Sequence, residues 1–158
     1  MKLIHTIIII ILEGFGEDSF MIVSLEKKFV DSYIIKARRE RTLFCLKTNR
    51  RAQYVDNLTW RDFMANKMHP IKRGTPEELI NTIKSYVGCE KCYIIYPDTK
   101  YDGRLYDSFD KFIWNYFGCG PFVILFIETL IAYFEEEYTS GPPGAYMLYD
   151  ELLMRRRS

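Results

Sequence analysis

Histidine is nearly absent, with two in 158 residues, so chemistry that turns on an imidazole has few candidates. No Ser-His-Asp order, HExxH or glycine-rich phosphate loop is present. Gln and Asn are few, and neither Ser/Gly-rich linkers nor repeats interrupt the chain, which excludes extended disorder away from the ends. The four cysteines include one closely spaced pair and no second. Nothing signals secretion, so reduced thiols in an intracellular, cytoplasmic protein are expected rather than a disulfide framework. Also missing is any apolar run of the roughly 20 residues that a membrane-spanning helix needs. Residues 3–12 are apolar apart from His5 and Thr6 but number only ten. Glu13-Gly14-Phe15-Gly16-Glu17 then offers no small-residue cleavage site, so neither a signal peptide nor a membrane partner is expected.

What the chain has in plenty is aromatic residues, 16%, chiefly 12 Tyr and 11 Phe. Its length suits one α+β domain over 1–158. Charged residues are also plentiful and nearly cancel, to a formal +1. They are unevenly spread. From Leu25 to Arg73, thirteen Lys/Arg stand against five Asp/Glu; from Gly74 to Asp150, five stand against twelve. A basic half, about 1–73, and an acidic half, about 74–158, predict a molecule with a basic end, or copies docking basic end to acidic end. The Ile- and Tyr-rich, Gln-poor composition has the character of small viral or mobile-element proteins of thermophiles, a likeness that rests on no motif.

Apolar patterning predicts strands first and helices later. Five isoleucines in a row, Ile7 to Ile11, favour a strand covered on both faces over 2–12. Short runs over 20–25, 29–37, 42–47 and 53–55, with polar turns between them, predict an N-terminal antiparallel β-meander. Thr59 and Asp62 suggest a helix start, with His69-Pro70 its end. Thr75-Pro76-Glu77-Glu78 is a stronger signal: Thr caps, Pro takes the first position, Glu78 reaches back, and Gly88 stops the helix. A strand over 91–96 follows, then an amphipathic helix over 105–117 with Phe109, Phe112, Ile113 and Tyr116 inward. Residues 120–134 are apolar all round except for Glu128, which predicts one fully buried helix. A last helix over 145–156 would put Leu148 and Leu152 on its core side. The C-terminal helices are expected on one side of the sheet.

Four groups of residues could carry chemistry. The first is Lys36, Arg38, Arg39, Arg41, Lys47, Arg50 and Arg51, placed at two turns of the meander. Guanidinium forks bind phosphates bidentately, and Tyr33, Phe44 and Tyr54 offer stacking faces. The bland alternative is a solvated face that keeps sheet edges apart. The second is Cys89-Glu90-Lys91-Cys92, a spacing that can grip Zn²⁺, for which Cys45, Cys119, His5 and His69 are the remaining ligands. The third is Asp98-Thr99-Lys100 after a strand, with Glu90 before it. It resembles the last part of the PD-(D/E)xK nuclease pattern, which implies a Mg²⁺ site with Asp98, Lys100 and Glu90 as catalytic residues. The fourth is Glu128, which should be paired or hard to ionise if buried.

The leading expectation is a nucleic-acid-binding protein, for DNA or RNA, using a basic patch on β-turns. A metal-dependent nuclease is the enzymatic alternative. A non-enzymatic protein that binds an acidic partner or forms a homo-oligomer is the third.

Overall fold

The computed structural model describes residues 17–137 and 144–156, so the strand expected over 2–12 lies outside it. Residues 20–55, expected as strands, are helical instead. Helix α1 spans Glu17–Tyr33, a 3-10 turn Lys36–Arg38 leads into α2 (Arg39–Leu46), and α3 spans Arg51–Asp56. The burial pattern gives the reason. Ile22, Leu25, Phe29 and Tyr33 recur every three or four residues and face inward, while Lys27, Lys28 and Asp31 face water. In α2 the buried positions are Thr42, Cys45 and Leu46, again at helical spacing. Short runs between polar turns suggested strands here, but tertiary burial of a helical stripe outweighs so local a signal.

The sheet occupies the C-terminal half, opposite to the order expected. Its strands are β1 (Met68–Pro70), β2 (Cys92–Ile95), β3 (Arg104–Tyr106), β4 (Phe122–Phe126), β5 (Ala132–Glu135) and β6 (Ala145–Leu148). All pairs are antiparallel, in the order β1-β6-β5-β4-β2-β3. Between the strands lie α4 (Pro76–Val87) and α5 (Asp110–Tyr116), and α6 (Glu151–Arg155) follows β6.

The supposed buried helix over 120–134 is the hairpin β4–β5 at the middle of this sheet. Phe122 to Phe126 and Ala132 to Glu135 are all buried, because both faces are covered. A strand hidden on both faces is apolar without alternation, which is also how a buried helix reads. The hairpin turn puts Leu130 at φ 57° and leaves Glu128 exposed, so the one charge of the run sits in solvent. The last segment divides likewise: Leu148 is buried in β6, but Leu152 in α6 is 69% exposed.

Helices cover both faces, not one. On one face α1 to α3 pack on Tyr93, Ile95, Val123, Leu125, Ala132, Phe134 and Leu148. On the other α4 and α5 pack on Cys92, Ile94, Phe122, Ile124, Phe126, Tyr133 and Met147. Alternate residues of β2, β4 and β5 serve alternate layers, as the pleat dictates. Helix α4 has the ends its sequence promised. Thr75 Oγ1 accepts from the Glu78 amide at 3.2 Å, Glu78 Oε2 accepts from the Thr75 amide at 2.8 Å, and Gly88 closes the helix at φ 63°. Among the described residues no helix is long and apolar enough to cross a membrane.

One charged cluster ties the N-terminal layer to the sheet. Arg51, at the start of α3, pairs with buried Glu26 of α1. It also grips Asp102 with two nitrogens, at 2.5 and 2.9 Å, and reaches the Tyr93 hydroxyl at 3.2 Å. The Tyr93 hydroxyl donates to Glu26 at 2.5 Å. Burial alone would disfavour the Arg51 charge, but Asp102 and Glu26 outweigh it and hold the guanidinium more firmly protonated than usual. A second buried carboxylate, Glu135, lies at the end of β5 with no exposure at all. Burial raises its pKa, against donors from Tyr133 Oη and the Gly118 amide, each at 2.7 Å.

Candidate nucleic-acid interface

The basic cluster stands on helices, not on β-turns, and helical geometry sorts its members. Arg41, Phe44 and Cys45 lie on one face of α2 at spacings of three and four. Arg50, Gln53, Tyr54 and Asn57 repeat that spacing along α3 and the residues just flanking it. These two faces, with Arg38, Thr59 and Asp62 at one side, line an open groove of about 710 Å³. That volume falls within the range of ordinary ligand pockets.

Three of the seven predicted cations therefore converge. Arg38 lines the groove while pairing with Asp62, whose other oxygen accepts from the Thr59 amide at 2.9 Å. Arg41 and Arg50 line it without an ion pair to any carboxylate among the described residues. Arg50 lies 5.8 Å from the centre of the Phe44 ring, a cation–π contact. The other four do not line this groove. Arg39 is turned inward, with Nε donating to the Ile34 carbonyl at 3.0 Å. Arg51 is the buried cross-link described above. Lys36 and Lys47 are exposed at the two ends of the α2 region.

The aromatic residues divide in the same way. Phe44 is 55% exposed at the groove. Tyr54 forms part of its wall, half-buried, its hydroxyl 2.6 Å from that of Thr42. Burial raises the Tyr54 pKa, with the Thr42 hydrogen bond opposing, so the hydroxyl stays neutral. Tyr33 is buried and its hydroxyl donates to the Leu130 carbonyl at 2.5 Å, which removes it as a stacking face. Gln53 and Asn57 were not singled out from sequence. Their spacing from Arg50 becomes a signal only once this stretch is read as a helix.

The nuclease constellation does not assemble. Asp98 and Glu90 flank opposite ends of β2. Asp98 Oδ1 accepts from the Lys100 amide at 3.0 Å, closing its own turn, and Lys100 Nζ lies over the Tyr101 ring at 5.3 Å. Glu90 is paired with Lys84 at 2.8 Å. At opposite ends of β2, Asp98 and Glu90 do not meet at one position for Mg²⁺. Among the described residues no group of three or more His, Cys, Asp or Glu could hold a metal ion. Cys92 is buried in β2, and burial pushes its thiol up to about 12. Cys45 belongs to the helical layer on the opposite face of the sheet, and Cys119 is exposed. Compared with known proteins, the chain matches no family model, no curated protein and no solved structure.

Proposed function

We propose that this protein binds nucleic acid through the groove between α2 and α3. One observation carries the reading: Arg38, Arg41 and Arg50 line a single open groove of about 710 Å³ together with an exposed aromatic ring. Guanidinium groups suit phosphate because their planar fork matches two of its oxygens. Arg41 and Arg50 lack a carboxylate partner among the described residues, so an incoming phosphate displaces no ion pair of theirs. The surroundings add to the attraction. Lys28, Lys36 and Lys47 are exposed in the same helical layer; Lys27 pairs with Asp31, Glu40 and Asp56 are exposed as well, and Glu26 and Asp62 are buried and engaged by arginines, so cations remain in excess. Fields from such a layer raise the rate of encounter with a polyanion.

A salt titration tests the reading. Affinity for DNA or RNA should fall steeply with salt, because each neutralised phosphate releases condensed counterions. The double substitution Arg41→Ala and Arg50→Ala should weaken binding across all sequences and reduce the salt slope by roughly one for each phosphate no longer neutralised. Folding should hardly change, since exposed charges contribute about 0–1 kcal/mol. Absence of binding at low salt, or indifference to the double substitution, would overturn the reading.

A further inference from the structure

From the exposed ring of Phe44, we infer that the groove takes single-stranded nucleic acid in preference to duplex, holding an unstacked base on the Phe44 ring while Arg41 and Arg50 hold the flanking phosphates. The inference rests on the nucleic-acid reading above and adds the form of the strand.

The ring and the two guanidiniums form one surface of mixed character. Phe44 is 55% exposed, whereas its neighbours Cys45 and Leu46 are buried. The helix thus fulfils its packing role with other residues and leaves this ring outside the core. Arg50 stands 5.8 Å from the ring centre, so one cation and one aromatic surface are presented together. A duplex cannot use that surface, because its bases are stacked inside and only backbone and groove edges are offered. A single strand can, since every base has a face to stack and such stacking is tolerant of sequence.

The groove's size agrees. Helix α2 has eight residues and so runs about 12 Å, room for only a few nucleotides. Beyond the three arginines the lining mixes apolar Phe44 and Cys45 with polar side chains and the carboxylate of Asp62, without further positive charge. Gln53 and Asn57 are exposed amides lining the same groove, and such side chains donate to and accept from base edges. Asn57 Nδ2 already donates to the Gln53 carbonyl at 2.7 Å, which fixes its amide plane and leaves its oxygen to accept.

The experiment is fluorescence anisotropy with a labelled 12-nucleotide single strand, as DNA and as RNA, against the same sequence as duplex, with a mononucleotide as competitor. The single strand should bind at least tenfold more tightly than the duplex. Phe44→Ala should weaken single-strand binding by about five- to 150-fold, as removal of one stacking partner does, while leaving the salt slope unchanged. Phe44→Trp should restore it. Equal affinity for strand and duplex, or a Phe44→Ala variant that binds as before, would overturn the single-strand inference while leaving the nucleic-acid reading intact. A mononucleotide that competes as well as the strand itself would overturn it in favour of a nucleotide pocket. Binding to none of these would overturn both.

Discussion

At the scale of the residue, neighbours in sequence have opposite employment. Arg50 and Arg51 are consecutive, yet Arg50 is exposed at the groove and Arg51 sits between the carboxylates of Glu26 and Asp102. Helical geometry separates them by about 100°, enough to send one side chain outward and the other inward. Arg51→Ala would strand Glu26 and Asp102 in a poorly hydrated site, and breaking a buried pair from one side costs about 3–5 kcal/mol. Arg50→Ala breaks no ion pair among the described residues and should stay within about 0.5 kcal/mol of the parent. Urea unfolding of the two variants checks this, and equal midpoints would show that Arg51 does not anchor the helical layer. In sequence the two are equivalent members of a group of seven cations. Nothing local distinguishes them, because the partners of Arg51 lie 25 and 51 positions away.

At the scale of the element, the difference between a helix and two shorter pieces can be put to one test. A single helix over 145–156 would place Leu148 and Leu152 one turn apart on one face, and a charge at either would be equally harmful. In the structure Leu148 is wholly buried in β6, paired with Met68 and Ala132, while Leu152 is 69% exposed. Leu148→Asp should therefore abolish cooperative folding, since an unpaired carboxylate enters the core, and Leu152→Asp should change the melt by about 0.5 kcal/mol or less. Thermal unfolding of both distinguishes the arrangements, and similar losses would contradict the strand. Elements with chemical punctuation were legible in sequence. Helix α4 carries its cap, its Pro, its reciprocal Glu and its stop in the residues themselves, and β2 is short and bounded by turn residues. The β4–β5 hairpin was not legible, because an apolar run hidden on both faces has neither period 2 nor period 3.6. Helices α1 to α3 were missed for another reason. Their apolar stripes are narrow and mixed with Val, Ile and Thr, and only the sheet beneath them decides which face is inward. The candidate site inherits that error. Its cations were visible in sequence, but the groove that unites three of them exists only because α2 and α3 are helices.

At the scale of the whole molecule, the uneven charge becomes a difference between layers. Most of the basic segment, 25–73, forms the helical layer on one face of the sheet. The acidic segment supplies most of the sheet and the helices α4 and α5 on the other, where Glu77, Glu90 and Asp107 are exposed. A polyanion should therefore bind one layer only, and binding to the folded state alone raises stability by mass action. With a single-stranded oligonucleotide at about 100 times its dissociation constant, the gain is about 2.7 kcal/mol. For a domain of this size that corresponds to a rise in Tm of about 5–10 °C at low salt, vanishing as salt is added. Two variants separate the two kinds of arginine. The Arg41→Ala and Arg50→Ala double variant should keep the parent's own Tm but show a much smaller rise with oligonucleotide. Arg51→Lys keeps the charge but loses the two-pronged grip on Asp102. Its own Tm should be lower, while the rise on adding oligonucleotide should persist, because the groove does not include Arg51. Thermal scans of the three proteins, with and without ligand, are sufficient. An undiminished rise in the double variant would place the polyanion elsewhere on the basic layer, and a rise lost in Arg51→Lys alone would show that the buried cluster and the groove are not independent.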